Sequence, residues 1–339
     1  MATRVGILGL GFMGKMHFDT YAGMNGARAV AICDVDAKKR RGDWSAIVGN
    51  IAGKGAAADL SGVRIYAATE QFLADGEVDV VDICLPTDLH APAAVAALKA
   101  GKHVICEKPM ARTSADCRRM IHAARKARRR LFVAHCIRFW PEYVKAREII
   151  RGGRYGKVIS AVFTRVSPTP TWTYRNWALD PARSGGCALD LHIHDADFVL
   201  HVFGKPRSVS ARGAGVGKGR LDHVVATYDY GSDLLVAAEG AWEYAPTFPF
   251  SMTFRIAMKG ATLAFGPDGL MLHPVKGRPR KVKTRPGDGY QHELKHFIGC
   301  IAAGRASGVL TPESAMQSVK LIEAETASAA AGRAVKVNL

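Results

Sequence analysis

The sequence predicts two domains of different class: an α/β domain on a doubly wound parallel sheet, then an α+β domain on a mostly antiparallel or mixed sheet. Three observations predict this. The chain has 339 residues, which at about 100 to 200 residues per domain suits two domains, each with a sizeable core. From residue 3 to 135, short β-branched runs alternate with longer helical stretches, the pattern of βαβ units covered on both faces. Beyond Arg138, longer alternating strands follow one another with few helices between them, the pattern of antiparallel pairing. The boundary falls near residue 136, giving an α/β domain over 1–135 and an α+β domain over 136–339.

The first strand, Val5-Gly6-Ile7-Leu8, runs into Gly9-Leu10-Gly11-Phe12-Met13-Gly14 and then a helix. Gly9 permits the tight turn, Gly11 lets backbone approach a pyrophosphate, and Gly14 lets the helix pack closely on the strand, with the helix N-terminus facing the phosphates. A lone G-x-G-x-x-G is weak evidence. Here the second strand, Ala29-Val30-Ala31-Ile32, closes at Cys33-Asp34, 20 residues after Gly14, where a carboxylate holds ribose hydroxyls. The same carboxylate repels a 2′-phosphate, which favours NAD; Lys38-Lys39-Arg40-Arg41 in the next helix keeps NADP open. Further strands are expected at Val78–Cys84, His103–Cys106 and Leu131–Ala134, with helices over Ala91–Ala100 and Thr113–Lys126, the latter capped by Thr113-Ser114. Glu107-Lys108-Pro109 follows a strand, so Lys108 projects from the carboxyl edge of the sheet, where doubly wound folds bind ligands.

In the second domain a helix over Pro141–Ile150 is closed by Gly152-Gly153, and strands are expected at Val158–Arg165, Val224–Tyr230, Leu234–Trp242 and Met252–Met258. Helices return at Tyr290–Ala303 and Pro312–Ala331, and the last is placed to pack back on the first domain. The stretch Gly277–Arg285 reads as a mobile solvated loop. Between these elements lies Gly185-Gly186-Cys187-Ala188-Leu189-Asp190-Leu191-His192-Ile193-His194-Asp195. Asp190 and His194 stand at i and i+4, one face of a helix. A lysine ammonium, an imidazole and a carboxylate beside a nicotinamide supply what alcohol oxidation needs, a base for the hydroxyl proton and a cation for the developing alkoxide. Trp172-Thr173-Tyr174-Arg175-Asn176-Trp177 offers a platform for a sugar ring with polar donors. On composition it serves equally well as a packing segment.

Taken together, these residues resemble the Gfo/Idh/MocA family, named for glucose–fructose oxidoreductase and inositol dehydrogenase. The resemblance covers nearly the whole chain: Gly9 to Gly14 with His17, Leu85-Pro86-Thr87-Asp88-Leu89-His90, Ala100 to Val104 leading into Glu107-Lys108-Pro109, Arg138-Phe139-Trp140-Pro141, and Asp190 to Asp197. It implies a Rossmann domain followed by an open-faced sheet domain, a nicotinamide cofactor, and polyol or sugar substrates. It also implies that Lys108 orients and polarises the reacting oxygen, that His194 exchanges its proton, and that Asp190 binds or orients substrate. Leu85, Pro86, His90, Glu107 and Lys108 join Gly9, Gly11, Phe12, Met13, Gly14 and Asp34 on the cofactor side. Arg138, Trp172, Tyr174, Arg175, Trp177 and His192 join Lys108, Asp190 and His194 on the substrate side. His192 replaces a common glycine, which narrows the pocket or adds a donor, and Leu85-Pro86-Thr87 replaces the commoner Thr-Pro-Asn. Because the family usually buries its open sheet between subunits, a homodimer or homotetramer is expected.

Composition sets the remaining bounds. Hydrophobic residues are 48% and charged ones 23%, a globular balance, and no apolar run reaches the ~18 residues of a bilayer span. Neither a membrane span nor a signal peptide is expected. Seven cysteines without C-x-x-C spacing point to a reducing cytoplasm. Lys and Arg number 47 against 30 Asp and Glu, a net charge of +17, which draws anions of any kind. The runs Arg125–Arg130 and Arg278–Lys283 lack interleaved aromatics, so solvated faces account for them better than nucleic acid. His292-Glu293-Leu294-Lys295-His296 matches the zinc-protease H-E-x-x-H, yet a hydrolase leaves the nucleotide turn without a role. No metal is assigned, including at His192-x-His194.

Overall fold

The computed structural model describes residues 2–49, 56–215 and 221–339. Its first sheet is all parallel and contains β1 (Thr3–Leu8), β2 (Ala27–Cys33), β3 (Arg64–Tyr66), β4 (Val80–Ile83), β5 (His103–Glu107) and β6 (Leu131–Ala134), in the order β3-β2-β1-β4-β5-β6. Between the strands run α1 (Phe12–Ala22), α2 (Ala37–Arg40), α3 (Thr69–Ala74), α4 (His90–Lys99) and α5 (Ser114–Ala127). Strands covered on both faces bury nearly every side chain, and Val5, Ile7, Val80, Val81, Val104 and Ile105 are all fully buried. Thr113 caps α5 by accepting from the Asp116 N–H. The strand order reverses between β1 and β4, which opens a crevice at their carboxyl ends.

The second sheet joins β7 (Val158–Pro168), β8 (Ser208–Ala214), β9 (His223–Asp229), β10 (Leu235–Tyr244), β11 (Ser251–Met258), β12 (Ala261–Gly266), β13 (Gly269–Pro274), β14 (Arg280–Lys281) and β15 (Val335–Lys336). Its order is β14-β13-β12-β11-β7-β10-β9-β8-β15, antiparallel throughout except that β10 runs parallel to β7. The chain also forms α6 (Pro141–Arg151), α7 (Pro181–Ser184), α8 (Ile193–Phe203), α9 (Gly289–Ala302) and α10 (Pro312–Ala331). One face of the sheet is apolar, and its rings stack edge-on: Tyr143 of α6 against Phe198 of α8 and Phe254 of β11, and Phe198 against Phe163 of β7. Residues of opposite parity, such as Val162, Val225, Thr227, Ala237 and Arg255, stay at least partly exposed. The Gly277–Arg285 stretch is not wholly loop: Arg280 and Lys281 pair with Leu272 and Met271, because β13 offers an unpaired edge.

Helix α10 lies against α5. Its Glu323 accepts the Ser114 N–H at 2.7 Å, and its Glu313 pairs with Arg125 at 2.8 Å. The basic run Arg125–Arg130 is therefore partly occupied, since Arg129 and Arg130 also donate to the carbonyls of Gly101 and Gly304.

Candidate active site

A cavity of about 850 Å³ opens at the carboxyl edge of the parallel sheet and is walled on its far side by the second domain. It begins at the turn after β1. Gly9 has φ +95°, and a Cβ there would fall 2.7 Å from the Cys84 carbonyl oxygen. A Cβ on Gly14 would overlap the Gly9 carbonyl, so this glycine seats α1 on β1 and does not line the cavity. A Cβ on Gly11 would meet nothing within 4 Å, which leaves a cradle at the start of α1. That helix has no side-chain cap and no acid in its first turn, so its terminus suits a pyrophosphate. Asp34, at the end of β2, lines the same cavity and accepts the Leu10 N–H at 2.6 Å and the Asp36 N–H at 2.8 Å. Lys38 and Lys39 stand on this side too. The arrangement fits a dinucleotide.

Leu85 and Pro86 continue the wall. His90 does not face the cavity: its two ring nitrogens lie 2.8 Å from the carbonyl oxygens of Pro109 and Leu85, so it ties the Leu85-Pro86 and Lys108-Pro109 loops together. From the end of β5, Lys108 reaches across to the second domain, with Nζ 2.6 Å from the Asp190 carbonyl oxygen and 3.3 Å from Asp190 Oδ1. Asp190 lies in a single π-helical turn, Ala188–His192, that runs straight into α8, where His194 follows. Both face the cavity. Such widened turns recur at functional sites. Burial, then the charges of Lys108 and Arg165 and the nearby His135, push His194 well below the ordinary imidazole value, so it is neutral at pH 7. Its Nδ1 has no hydrogen-bond partner.

Trp172, Tyr174 and Trp177 form an aromatic wall with Trp140 and Trp242. Tyr174 also meets the cofactor side, where Lys39 Nζ lies 5.5 Å from its ring centre. Arg175 lies outside the cavity: its backbone takes φ 51° and its guanidinium rests 5.2 Å over the Tyr174 ring. His192 is likewise not a pocket residue. It is fully buried against Gly240 and points its Nε2 to the Glu325 carboxylate at 2.9 Å, because the π turn carries it toward the sheet. Arg138 is also withdrawn, forked onto Asp197 at 2.8 and 2.7 Å and donating to Val309 O and Ser314 Oγ. It clamps α8 to the start of α10.

Arg165 is one cavity residue that sequence reasoning missed. It is buried on β7 and held by Asp195 at 2.8 and 3.2 Å. The available signal was its parity, since it follows Ala161 and Phe163 on the inward face of the strand. The H-E-x-x-H residues do not converge: His292 turns to the Pro286 carbonyl, His296 to Ser307, and Glu293 into the core.

Residues 3–135 match the family described as "Oxidoreductase family, NAD-binding Rossmann fold", and residues 143–264 match "GFO/IDH/MocA C-terminal domain". The chain belongs to the Gfo/Idh/MocA family. It is an oxidoreductase with an NAD-binding Rossmann domain. Among Gfo/Idh/MocA relatives, inositol 2-dehydrogenase of Rhizobium meliloti (strain 1021) is 28% identical over 355 aligned residues, covering 99% of this chain and 100% of the relative. Myo-inositol 2-dehydrogenase of Thermotoga maritima is 32% identical over 203 residues, covering 60% of this chain and 55% of the relative. The fold is shared with levoglucosan dehydrogenase in complex with NADH and L-sorbose, at TM-score 0.85 and 23% identity over 100% of both chains. It is shared equally with aldose-aldose oxidoreductase of Caulobacter crescentus, at TM-score 0.84 and 24% identity over 99% of this chain and 100% of that one.

Proposed function

We propose that the cavity oxidises a secondary hydroxyl of a sugar or cyclic polyol, with Lys108, His194 and Asp190 as its catalytic residues. The observation that carries this reading is the contact of Lys108 Nζ with Asp190 across the cavity, beside a neutral His194. NAD, when bound, supplies the acceptor for the hydride leaving the carbinol carbon. The Lys108 ammonium stabilises charge growing on the substrate oxygen. His194 takes the hydroxyl proton, a role open to it because it is held uncharged. Asp190 fixes the ammonium and orients a neighbouring substrate hydroxyl. Trp172, Tyr174 and Trp177 offer flat faces to a sugar ring. Full-length similarity to an inositol 2-dehydrogenase supports the cyclic polyol, and the likeness to levoglucosan dehydrogenase supports the sugar.

The test is an absorbance screen for reduced nicotinamide with inositols, free and anhydro sugars, sugar phosphates and nucleotide sugars, each with NAD and NADP. A polyol or monosaccharide is expected to give an NAD-dependent signal that His194→Ala abolishes. A signal confined to NADP, or none from any polyol or sugar, counts against the reading.

The exposed face of the second sheet supports a homodimer or homotetramer formed through that face, and a monomer at micromolar concentration in light scattering would overturn this. Seven buried, unpaired cysteines support a cytoplasmic location.

A further inference from the structure

Beneath the Glu107–Lys108 turn, four side chains meet in the core: His17 of α1, Asp82 of β4, Glu107 of β5 and Glu293 of α9. The Asp82 side of this cluster is satisfied. Its carboxylate accepts the Tyr21 hydroxyl at 2.7 Å and lies 2.9 Å from His17 Nδ1, with Cys84 alongside. The other side is not. His17 Nε2 lies 3.2 Å from Glu107 Oε1, and single atoms of His17, Glu107 and Glu293 all lie within 4.8 Å of one another. Yet His17 Nε2, Glu107 Oε1 and both oxygens of Glu293 lack a hydrogen-bond partner. His17 and Glu293 are 0% exposed and Glu107 5%, so bulk water does not serve them.

Counting hydrogens decides what the cluster holds. An ionised carboxylate only accepts, and even a fully protonated imidazole brings a single hydrogen to this side. Three acceptor oxygens facing that one hydrogen away from bulk solvent leave like charges in contact, and two carboxylates sharing a site do not both ionise. Burial first, then Glu107, hold the Glu293 carboxyl well above its usual range; His17 opposes them, and Asp82 and Asp288 reinforce them. His17 keeps its proton against the cost of burial because Asp82 and Cys84 favour the charged ring. The other ionisable neighbours, Tyr21, Cys136 and Tyr290, are themselves pushed upward by burial and stay neutral. Lys108 projects away, into the cavity.

We propose that Glu293 is a neutral carboxylic acid whose proton faces Glu107, and that this buried pair, with His17, positions the Glu107–Lys108 turn that presents the Lys108 ammonium. The link to the turn is direct, since Glu107 Oε2 accepts the Lys108 N–H at 3.0 Å. Glu293 is thus a positioning residue, and the H-E-x-x-H segment supplies its acid to this cluster. The positioning half rests on Lys108 being catalytic; the protonation half does not.

Infrared difference spectra of the full-length protein near neutral pH, unmodified against Glu293→Gln, read the protonation directly. The unmodified protein is expected to show a buried carboxylic-acid carbonyl band that the variant lacks, and absence of that band overturns the proposal. Elemental analysis of the same two samples must show no stoichiometric divalent metal; one bound by the unmodified protein and lost from Glu293→Gln would mean that a cation takes the place assigned to the proton. In turnover, Glu293→Ala is expected to lose on the order of 10- to 100-fold in kcat with KM for NAD little changed, the scale of a small misplacement at the reacting centre. Glu293→Gln, which copies the neutral acid in shape and charge, should recover to within about threefold of the unmodified enzyme. Equal losses in both variants would show that an ionised carboxylate is required. Failure of every sugar and polyol to be oxidised would count against the proposed function, and the infrared result would still decide the protonation.

Discussion

Replacing Arg138 by Met separates an internal clamp from a substrate contact. Asp197 is 0% exposed and receives Arg138 Nε at 2.8 Å, Arg138 Nη2 at 2.7 Å and the Ser318 hydroxyl at 2.6 Å. Methionine fills much of the volume but leaves the buried Asp197 charge with the Ser318 hydroxyl at 2.6 Å and His135 Nδ1 at 3.8 Å. Losing one partner of such a pair costs about 3–5 kcal/mol. At about 2–4 °C per kcal/mol for a large domain, Tm should fall by roughly 6–20 °C. The pH dependence has a definite sign. Against the opposing effect of burial, Arg138, His135 and Ser318 hold the Asp197 carboxyl well below its usual range. Its contribution is therefore complete above the unfolded value of about 3.9 and is lost as pH falls further. The gap between the two proteins should be full at neutral pH and narrow below about pH 4. Thermal melts followed by circular dichroism at several pH values, with substrate KM on the same preparations, measure both effects. An unchanged melt with a raised substrate KM would refute the clamp and return Arg138 to the substrate site.

Other outcomes follow from the same geometry. Asp34→Ala should weaken NAD and shrink its preference over NADP, because Lys38 and Lys39 line the same side of the cavity; calorimetry that finds NADP tighter before the change would contradict the assignment. Since His194 is held below the ordinary imidazole value, the acid limb of kcat/KM should lie below about pH 6.5, and a limb at or above that pH in a steady-state profile would count against it as the base. His192→Leu should leave substrate KM unchanged. Despite burial, Glu325 holds the His192 imidazole above its ordinary value, so the pair's stabilisation is complete below about pH 6.5 and fades as pH rises through the folded value. Urea midpoints of the variant should accordingly approach those of the unmodified protein at high pH, and a KM change without a stability change would reverse this reading.

The parallel sheet was legible because strands buried on both faces read as uninterrupted apolar runs, and Gly9, Gly11 and Asp34 carry their geometry in local spacing. Lys108, Asp190 and His194 stood out as polar residues bounded by glycines and apolar runs, and the structure brings all three to one cavity. His192 is expected in the pocket because it stands where relatives commonly have glycine, but its neighbours, Gly240 of β10 and Glu325 of α10, come from distant elements that local spacing does not reveal. Arg138 and His90 were taken for binding residues because their partners, Asp197, Pro109 and Leu85, lie across folded loops that spacing does not reveal. Glu293 stayed hidden for the same reason: Glu107 and His17, which give it meaning, come from elements far away in the chain.

The central claim is that Lys108 acts on the reacting oxygen, and turnover of Lys108→Ala at saturating NAD with an oxidised polyol or sugar tests it most directly. Removing one preorganised donor from a developing oxyanion commonly costs on the order of 100- to 1,000-fold in kcat, whereas NAD affinity should change little because the Gly9–Gly14 turn and Asp34 remain. A kcat depressed on that scale with near-normal NAD binding is the predicted result. Near-normal turnover would show that Lys108 merely joins the two domains through Asp190, and would remove the catalytic assignment.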